Sequence, residues 1–287
     1  MDSFTARAPA KVNLTLRVAG RRGDGLHEIE SLVVFCDITD ELSFDPSRPR
    51  GLEVLGPLRA ECGPVTDNLV LKAAGALAAR VFDLKTGHFA LIKRIPVAAG
   101  LGGGSADAAA ALQLLAQANG LAPGDPRLQE AARGTGSDVP VCLDPRPRIL
   151  SGAGEVLSDA IKLPPLAAVL VKPGVALPTR EVFDAFDKMG AGPSSQLGSP
   201  PRDSRDELLA FLRLRPNDLE AAAISLQPAI GEVLSTLQDL PSCRLARMSG
   251  SGATCFGLFD TAEVAASAAR QLRATRSDWW IEETTLS

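Results

Sequence analysis

Residues 96–106 carry the clearest chemistry in this sequence: Pro96, Val97, Ala98, Ala99, Gly100, Leu101, Gly102, Gly103, Gly104, Ser105 and Ala106. Four of these are glycines within a span of five. A backbone with so few Cβ atoms can adopt positive φ and approach a ligand closely. An alanine-rich helical stretch follows, whose unpaired N–H groups and positive dipole end favour an anion. Each glycine costs conformational entropy on folding, and a plain connecting turn would not need four. The stretch therefore reads as a phosphate loop. It is not the Walker type, because Gly104 is followed by Ser105 and Ala106 where Lys and Ser or Thr would stand. Nor is it the dinucleotide fingerprint, whose third glycine falls on Ser105 or Asp107 depending on the starting point.

Three more segments have residue types suited to chemistry. Pro9-Ala10-Lys11-Val12-Asn13-Leu14 sets Lys11 and Asn13 two apart, on one face of a strand. Taken alone they also fit two solvated side chains on an edge strand. Gly136-Ser137-Asp138-Val139-Pro140 places a carboxylate at the mouth of an apolar run read as a strand, where an Asp often serves only the turn. Ser249-Gly250-Ser251-Gly252-Ala253-Thr254 is a second small-residue loop ahead of a strand. With only His27 and His88, and no tyrosine, acid–base work falls mostly to Asp, Glu and Lys. The five cysteines lack Cys-x-x-Cys spacing and suggest neither a zinc site nor a disulfide framework.

The elements that must position these residues follow an α+β pattern. Strands are expected over 3–18, through Leu32–Phe35, in short pieces over 41–56, and over His88–Ile92. Helices are expected from Asp67-Asn68 to about Val81, over Ser105–Ala118 and over Pro126–Arg133. Leu166–Val171 reads as a buried strand. Helices near 206–213, 217–238 and 261–274 then alternate with strands near 244–248, 253–259 and 279–284. The Gly-, Ser- and Pro-rich stretch 189–205 reads as a mobile surface loop. Two domains are expected from the 287-residue length, with a linker at Lys162-Leu163-Pro164-Pro165. The net charge of −4 disfavours nucleic acid as a partner. The absence of a long apolar run or signal-like start points away from the membrane and to the cytoplasm.

In this order, the Lys11 strand, the glycine loop and the Ser249–Thr254 loop resemble the three signatures of the kinases named after galactokinase, homoserine kinase, mevalonate kinase and phosphomevalonate kinase, the GHMP kinases. The resemblance spans most of the chain. It implies the two-domain α+β GHMP-kinase fold: an N-terminal ribosomal-protein-S5-like ATP-binding domain over 1–158 and a C-terminal ferredoxin-like α/β sandwich over 159–287. Further segments resemble those family members that phosphorylate the 2-hydroxyl of a cytidyl diphosphate sugar alcohol on the non-mevalonate route to isoprenoids. They are Arg22-Gly23-Asp24-Gly25-Leu26-His27-Glu28-Ile29, Asp67-Asn68-Leu69, Gly136-Ser137-Asp138-Val139-Pro140, Gly152-Ala153-Gly154-Glu155, and Pro178-Thr179 with Phe183.

On that resemblance, Asp138 accepts the proton of the attacking hydroxyl and Lys11 steadies the developing charge. The loop 96–106 holds the ATP triphosphate, with Mg²⁺ on the phosphates and Ser105 as a possible ligand. Asn68 and Lys93 correspond to residues near the adenine. Asn13 is expected near the erythritol, with Thr179 on the same substrate. His27 corresponds to a reader of the cytosine edge, and Phe183 to the ring over one of its faces. Leu26 stands where the family usually has Tyr. The expected partners are ATP and this small substrate, with no nucleic acid or membrane, in a monomer or homodimer. Another alcohol acceptor, such as mevalonate, homoserine or a sugar, would need neither the Asp24–His27 segment nor Phe183. A non-catalytic ATP-binding regulator could dispense with Lys11 and Asp138, both present here.

Overall fold

The computed structural model describes residues 3–190, 192 and 195–287. Its strands are β1 (Phe4–Asn13), β2 (Arg17–Arg21), β3 (His27–Asp45), β4 (Gly51–Leu55), β5 (His88–Ile92), β6 (Arg148–Gly152), β7 (Val156–Leu157), β8 (Leu166–Lys172), β9 (Leu245–Met248), β10 (Cys255–Phe259) and β11 (Trp280–Leu286). Its α-helices are α1 (Leu69–Ala78), α2 (Gly103–Ala118), α3 (Pro126–Thr135), α4 (Val139–Cys142), α5 (Thr179–Met189), α6 (Arg205–Arg213), α7 (Glu220–Leu226), α8 (Ala229–Gln238) and α9 (Ala262–Thr275). Among the described residues, no helix is long and apolar enough to cross a membrane.

The chain forms two compact units. The first comprises residues up to Lys11, Ile38–Val97 and Gly102–Pro145. In it β5 runs antiparallel to the second half of β3, from Glu41 against Ile92 to Asp45 against His88, and β4 runs parallel to β5. Helix α2 is buried on nearly all sides, through Ala106, Ala108–Leu112, Leu114 and Leu115. Its alanines let α1 lie close, with Ala73 and Ala74 fully buried. A helix buried all round needs no amphipathic stripe, which explains its near-uniform small apolar composition.

The second unit comprises Val12–Asp37, Ala98–Leu101 and residues from Arg146 onward. Here β8 is central, antiparallel to both β10 and β11, and β10 is antiparallel to β9. Every residue of Leu166–Val171 is buried, as its continuous apolar run requires of a strand covered on both faces. The first half of β3 pairs with β2 and β6 and meets β11 at Cys36.

Several expectations change in the structure. The apolar run after Asp138 is helix α4; four apolar residues cannot be told from a strand by periodicity, and Pro140 fits a first helical turn. The helix expected over 217–238 is two, because Pro228 interrupts the ladder between α7 and α8. Residues 3–18 divide into β1 and the start of β2, with a break at 14–16. Helix α1 ends at Ala78, short of Val81. Of the stretch read as a mobile loop, residues 191, 193 and 194 lie outside the described residues. Within it Leu197 is buried, its N–H donating to Glu30 and its carbonyl accepting from Arg215.

Candidate active site

In the first unit the glycine loop ends at the start of α2. That helix begins two residues before Ser105, and its N-cap is Gly102 in the left-handed region at φ +63. Ala98 and Gly100 also have positive φ, at +50 and +74. Left-handed residues at every second position are a backbone pattern that can present N–H groups to an anion. Ser105 is half-buried on the first turn of α2.

Against Gly102 lies an ion pair, Lys11 Nζ to Asp138 Oδ2 at 2.8 Å. A Cβ on Gly102 would sit 3.3 Å from Lys11 Cε and 3.9 Å from Asp138 Oδ2, so the missing side chain is what admits the pair beside the loop. Lys11 is almost wholly buried while Asp138 is one-third exposed. A solvated edge-strand lysine does not fit this geometry. Asp138 occupies the N-cap position of α4, yet its carboxylate makes no capping bond and turns to Lys11 instead. Its Oδ1 takes no hydrogen bond from any described residue.

The two residues assigned near adenine have engaged side chains. Asn68 caps α1, its Oδ1 accepting from the N–H of Val70 at 3.0 Å. Lys93 is 2% exposed and donates to Asp40 Oδ2 at 2.5 Å and Asp107 Oδ2 at 2.7 Å. Burial opposes the ammonium's charge, but the two carboxylates hold its pKa above the usual lysine value. This buried triad was not foreseen, because its members are 53 and 14 residues apart from Lys93 in sequence.

The second unit holds the remaining candidates. Asn13 is buried; its Nδ2 donates to Ser31 Oγ at 2.7 Å and its backbone N–H to Ser249 Oγ at 3.0 Å. Its Oδ1 is buried without a hydrogen-bond partner among the described residues. Such an orphaned acceptor costs about 1–3 kcal/mol unless a ligand pairs with it. Ser249 Oγ also donates to the Gly100 carbonyl at 2.9 Å. Asn217 spans the Ser249–Thr254 loop, donating to the carbonyls of Met248 and Gly250. Buried Arg247, its pKa lowered by burial to about 10, ties Leu14 and Leu212 through their carbonyls.

His27 Nε2 lies 2.8 Å from Asp187 Oδ1, and its ring stacks on Phe183 at 4.6 Å between centroids. A carboxylate only accepts, so Nε2 carries the proton and Nδ1 is the acceptor in the neutral ring. Asp187 was not singled out from the sequence, though it was legible: it follows Phe183 by four residues on α5, on the same helix face. Thr179 Oγ1 meets Ser251 Oγ at 2.9 Å, joining the start of α5 to the small-residue loop. Arg22 Nη1 pairs with Glu155 Oε1 at 2.8 Å, linking two segments noted separately in the sequence. The hydrogen bond from Arg22 holds the Glu155 carboxyl below its ordinary value. Leu26 is more than half exposed.

Comparison with known proteins gives the family of the chain. The models "GHMP kinases N terminal domain" and "GHMP kinases C terminal" match residues 68–144 and 203–278. The chain is 53% identical over 292 residues to a 4-diphosphocytidyl-2-C-methyl-D-erythritol kinase of Xanthobacter autotrophicus, covering all of both chains. It is 52% identical over 293 residues, again covering all of both, to that of Methylobacterium radiotolerans. A crystal structure of 4-(cytidine 5'-diphospho)-2C-methyl-D-erythritol kinase superposes with a TM-score of 0.77 at 36% identity, over 99% of each chain. Identity at this level along the full chain leaves one assignment: this protein belongs to the GHMP kinases, the ATP-dependent small-molecule kinases whose two-domain α+β fold it shares.

Proposed function

We propose that this chain transfers the γ-phosphoryl group of ATP to the 2-hydroxyl of 4-diphosphocytidyl-2-C-methyl-D-erythritol, on the methylerythritol phosphate route to isoprenoid precursors. Full-length identity to kinases of that name supports the substrate. The observation that carries the chemistry is the Lys11–Asp138 pair set against Gly102 of the glycine loop. Phosphoryl transfer asks the protein chiefly for positioning and charge stabilisation. The loop's N–H groups and the α2 N-terminus supply both for the triphosphate. Asp138 Oδ1 accepts the hydroxyl proton as the oxygen bonds to the γ-phosphorus and the bond to ADP breaks. Lys11 balances the charge that develops on the attacking oxygen.

Among the described residues no cluster of three His, Cys, Asp or Glu could cage a metal ion. Mg²⁺ keeps several waters and binds through phosphates with one or two protein oxygens, so it asks for no such cage. The Ser105 hydroxyl on the first turn of α2 is our candidate for one of them. When bound, the ion neutralises phosphate charge. The side chains of Asn68 and Lys93 are committed elsewhere, so in this reading adenine meets the α1 start and the β5 end through other groups. We retain sequence domains over 1–158 and 159–287, one family match falling in each, alongside the two compact units that interleave along the chain, and a cytoplasmic enzyme.

For the substrate, Asn13 Oδ1 offers its unpaired acceptor to an erythritol hydroxyl, with Thr179 on the same substrate. His27 Nδ1 complements an exocyclic amino N–H, which cytosine carries and uracil lacks. Phe183 already gives one face to His27. A base that both stacks on Phe183 and meets the edge of His27 therefore displaces the imidazole as it enters. Turnover with ATP against the cytidyl diphosphate substrate, mevalonate and homoserine tests the assignment. Activity confined to the cytidyl compound is expected, and preference for either other alcohol would overturn it.

Leu26 supplies no ring to the base. Leu26→Tyr is expected to lower KM for the cytidyl substrate by about two- to tenfold, the worth of one aromatic pair. The value of kcat should change little. Steady-state kinetics checks this, and an abolished turnover would show that Leu26 packs elsewhere than against the base.

A further inference from the structure

The most costly electrostatic arrangement in the first unit is Lys93 with Asp40 and Asp107, all nearly inaccessible to water. Asp40 uses both oxygens: Oδ2 accepts from Lys93, and Oδ1 accepts from the N–H groups of Arg94 at 2.5 Å and Ile95 at 2.9 Å. The cluster therefore grips the chain at 93–95, just before the glycine loop. Asp107 sits one turn into α2, just after the loop. The single ammonium of Lys93 thus joins the loop's two ends.

Gly103 records how tightly they are joined. A Cβ there would lie 2.8 Å from Ile95 Cγ2 and 3.2 Å from Lys93 Nζ. The missing side chain lets the α2 backbone close onto the cluster. Burial, with Asp40 alongside, pushes Asp107 up to about 7 against the pull of Lys93. Its Oδ1 is buried with no hydrogen-bond partner among the described residues, a site where a proton is better tolerated than a charge. Other ionisable groups nearby include Cys62 and Cys142, their thiols raised chiefly by burial, and Glu61. Glu61 accepts from the N–H of Val97 in the loop. Apolar side chains of similar volume would stabilise such a place as well or better. Buried charge at the base of this loop therefore calls for a use besides stability.

We propose that Lys93, Asp40 and Asp107 form a buried bolt that fixes the spacing between the two ends of the glycine loop, making Lys93 a positioning residue for the ATP triphosphate. A loop held in its binding geometry spends none of the ligand's binding energy on its own ordering. The inference rests on ATP use by this family and not on the identity of the alcohol.

The test is Asp107→Leu, which frees α2 from the bolt while leaving the Lys93–Asp40 pair electrically balanced. ATP affinity measured calorimetrically without any second substrate is expected to fall about tenfold or more, the worth of a hydrogen bond to a charged group. At saturating ATP, kcat should change much less, since the proton-transfer pair is untouched. Asp107→Asn keeps an acceptor for Lys93 and should recover most of the ATP affinity. Amide exchange over 96–104 should quicken in Asp107→Leu and return toward normal in Asp107→Asn. Unchanged ATP affinity with only a lowered Tm in Asp107→Leu would reduce the bolt to scaffolding and overturn the proposal. If the leucine variant does not fold, Asp107→Ser decides, since its shorter side chain loses the carboxylate that holds Lys93: lowered ATP affinity with quicker loop exchange supports the bolt, and wild-type values for both overturn it. Because the alcohol takes no part in the binding measurement, a wrong substrate assignment would leave these results standing.

Discussion

Asp138→Asn is expected to lower kcat by about a thousandfold while ATP still binds, because the substitution removes proton acceptance and little else. The amide matches the carboxylate in shape and can keep its oxygen toward Lys11, 2.8 Å away in the parent. That orientation puts an NH2 group where Oδ1 had been. The attacking hydroxyl then meets a donor instead of an acceptor, and its proton has nowhere to go. A thousandfold loss corresponds to about 4 kcal/mol of transition-state stabilisation. In the proposed function the triphosphate is held by backbone N–H groups, which the substitution does not touch. Single-turnover kinetics and a direct ATP titration separate the two effects. A kcat within tenfold of the parent would remove Asp138 from proton transfer. Equal losses of kcat and ATP affinity would mean that the pair chiefly props Gly102, where a Cβ would stand 3.3 Å from Lys11 Cε.

How much of this site the sequence discloses depends on the range of the interactions. The glycine loop is legible because its signal is local: four glycines and a helix start. Its cap is less so, since Ser105 is the more usual capping residue and only the φ of Gly102 reveals the true start. The Lys11–Asp138 pair spans 127 residues, and residue types alone do not predict it. It became visible through the resemblance of its two segments to one family. The Lys93 bolt has no such route: the resemblance points Lys93 to the adenine, and nothing local pairs it with Asp40 or Asp107. Asp187 lay within reach of helical geometry once Phe183 had been picked out. The strand expected after Asp138 is misread for a physical reason of its own. Over runs as short as 139–143, local pattern is weak, and packing against α2 decides the conformation.

Gly100→Ala is expected to cost about 3 kcal/mol of stability, combining left-handed strain with the loss of one or two loop hydrogen bonds. For a unit of this size that lowers Tm by roughly 6–12 °C. ATP affinity should fall with it. Gly100 has φ +74, and a Cβ there would stand 2.4 Å from the carbonyl oxygen of Ser249 and 2.9 Å from that of Gly252. Both are backbone atoms, so no side chain can rotate away. The Ser249–Thr254 loop is itself held by Asn217 at Met248 and Gly250, and by the Thr254 N–H donating to the Ala99 carbonyl at 3.1 Å. The new methyl must therefore push the 98–101 segment, and with it the N–H groups that the proposed function gives to the triphosphate. Gly104 provides the contrast within the same loop. A Cβ there meets only Leu69 Cδ1, at 3.4 Å, and its φ is ordinary. Gly104→Ala should leave Tm unchanged or raise it, because alanine favours the first turn of α2 by up to about 1 kcal/mol. Thermal unfolding of both variants, with an ATP titration of Gly100→Ala below its Tm, decides the matter. Parent-like Tm and affinity in Gly100→Ala would mean that the close approach at Ser249 does not hold the loop in its binding shape. A lowered Tm with unchanged affinity would assign that contact to the fold alone.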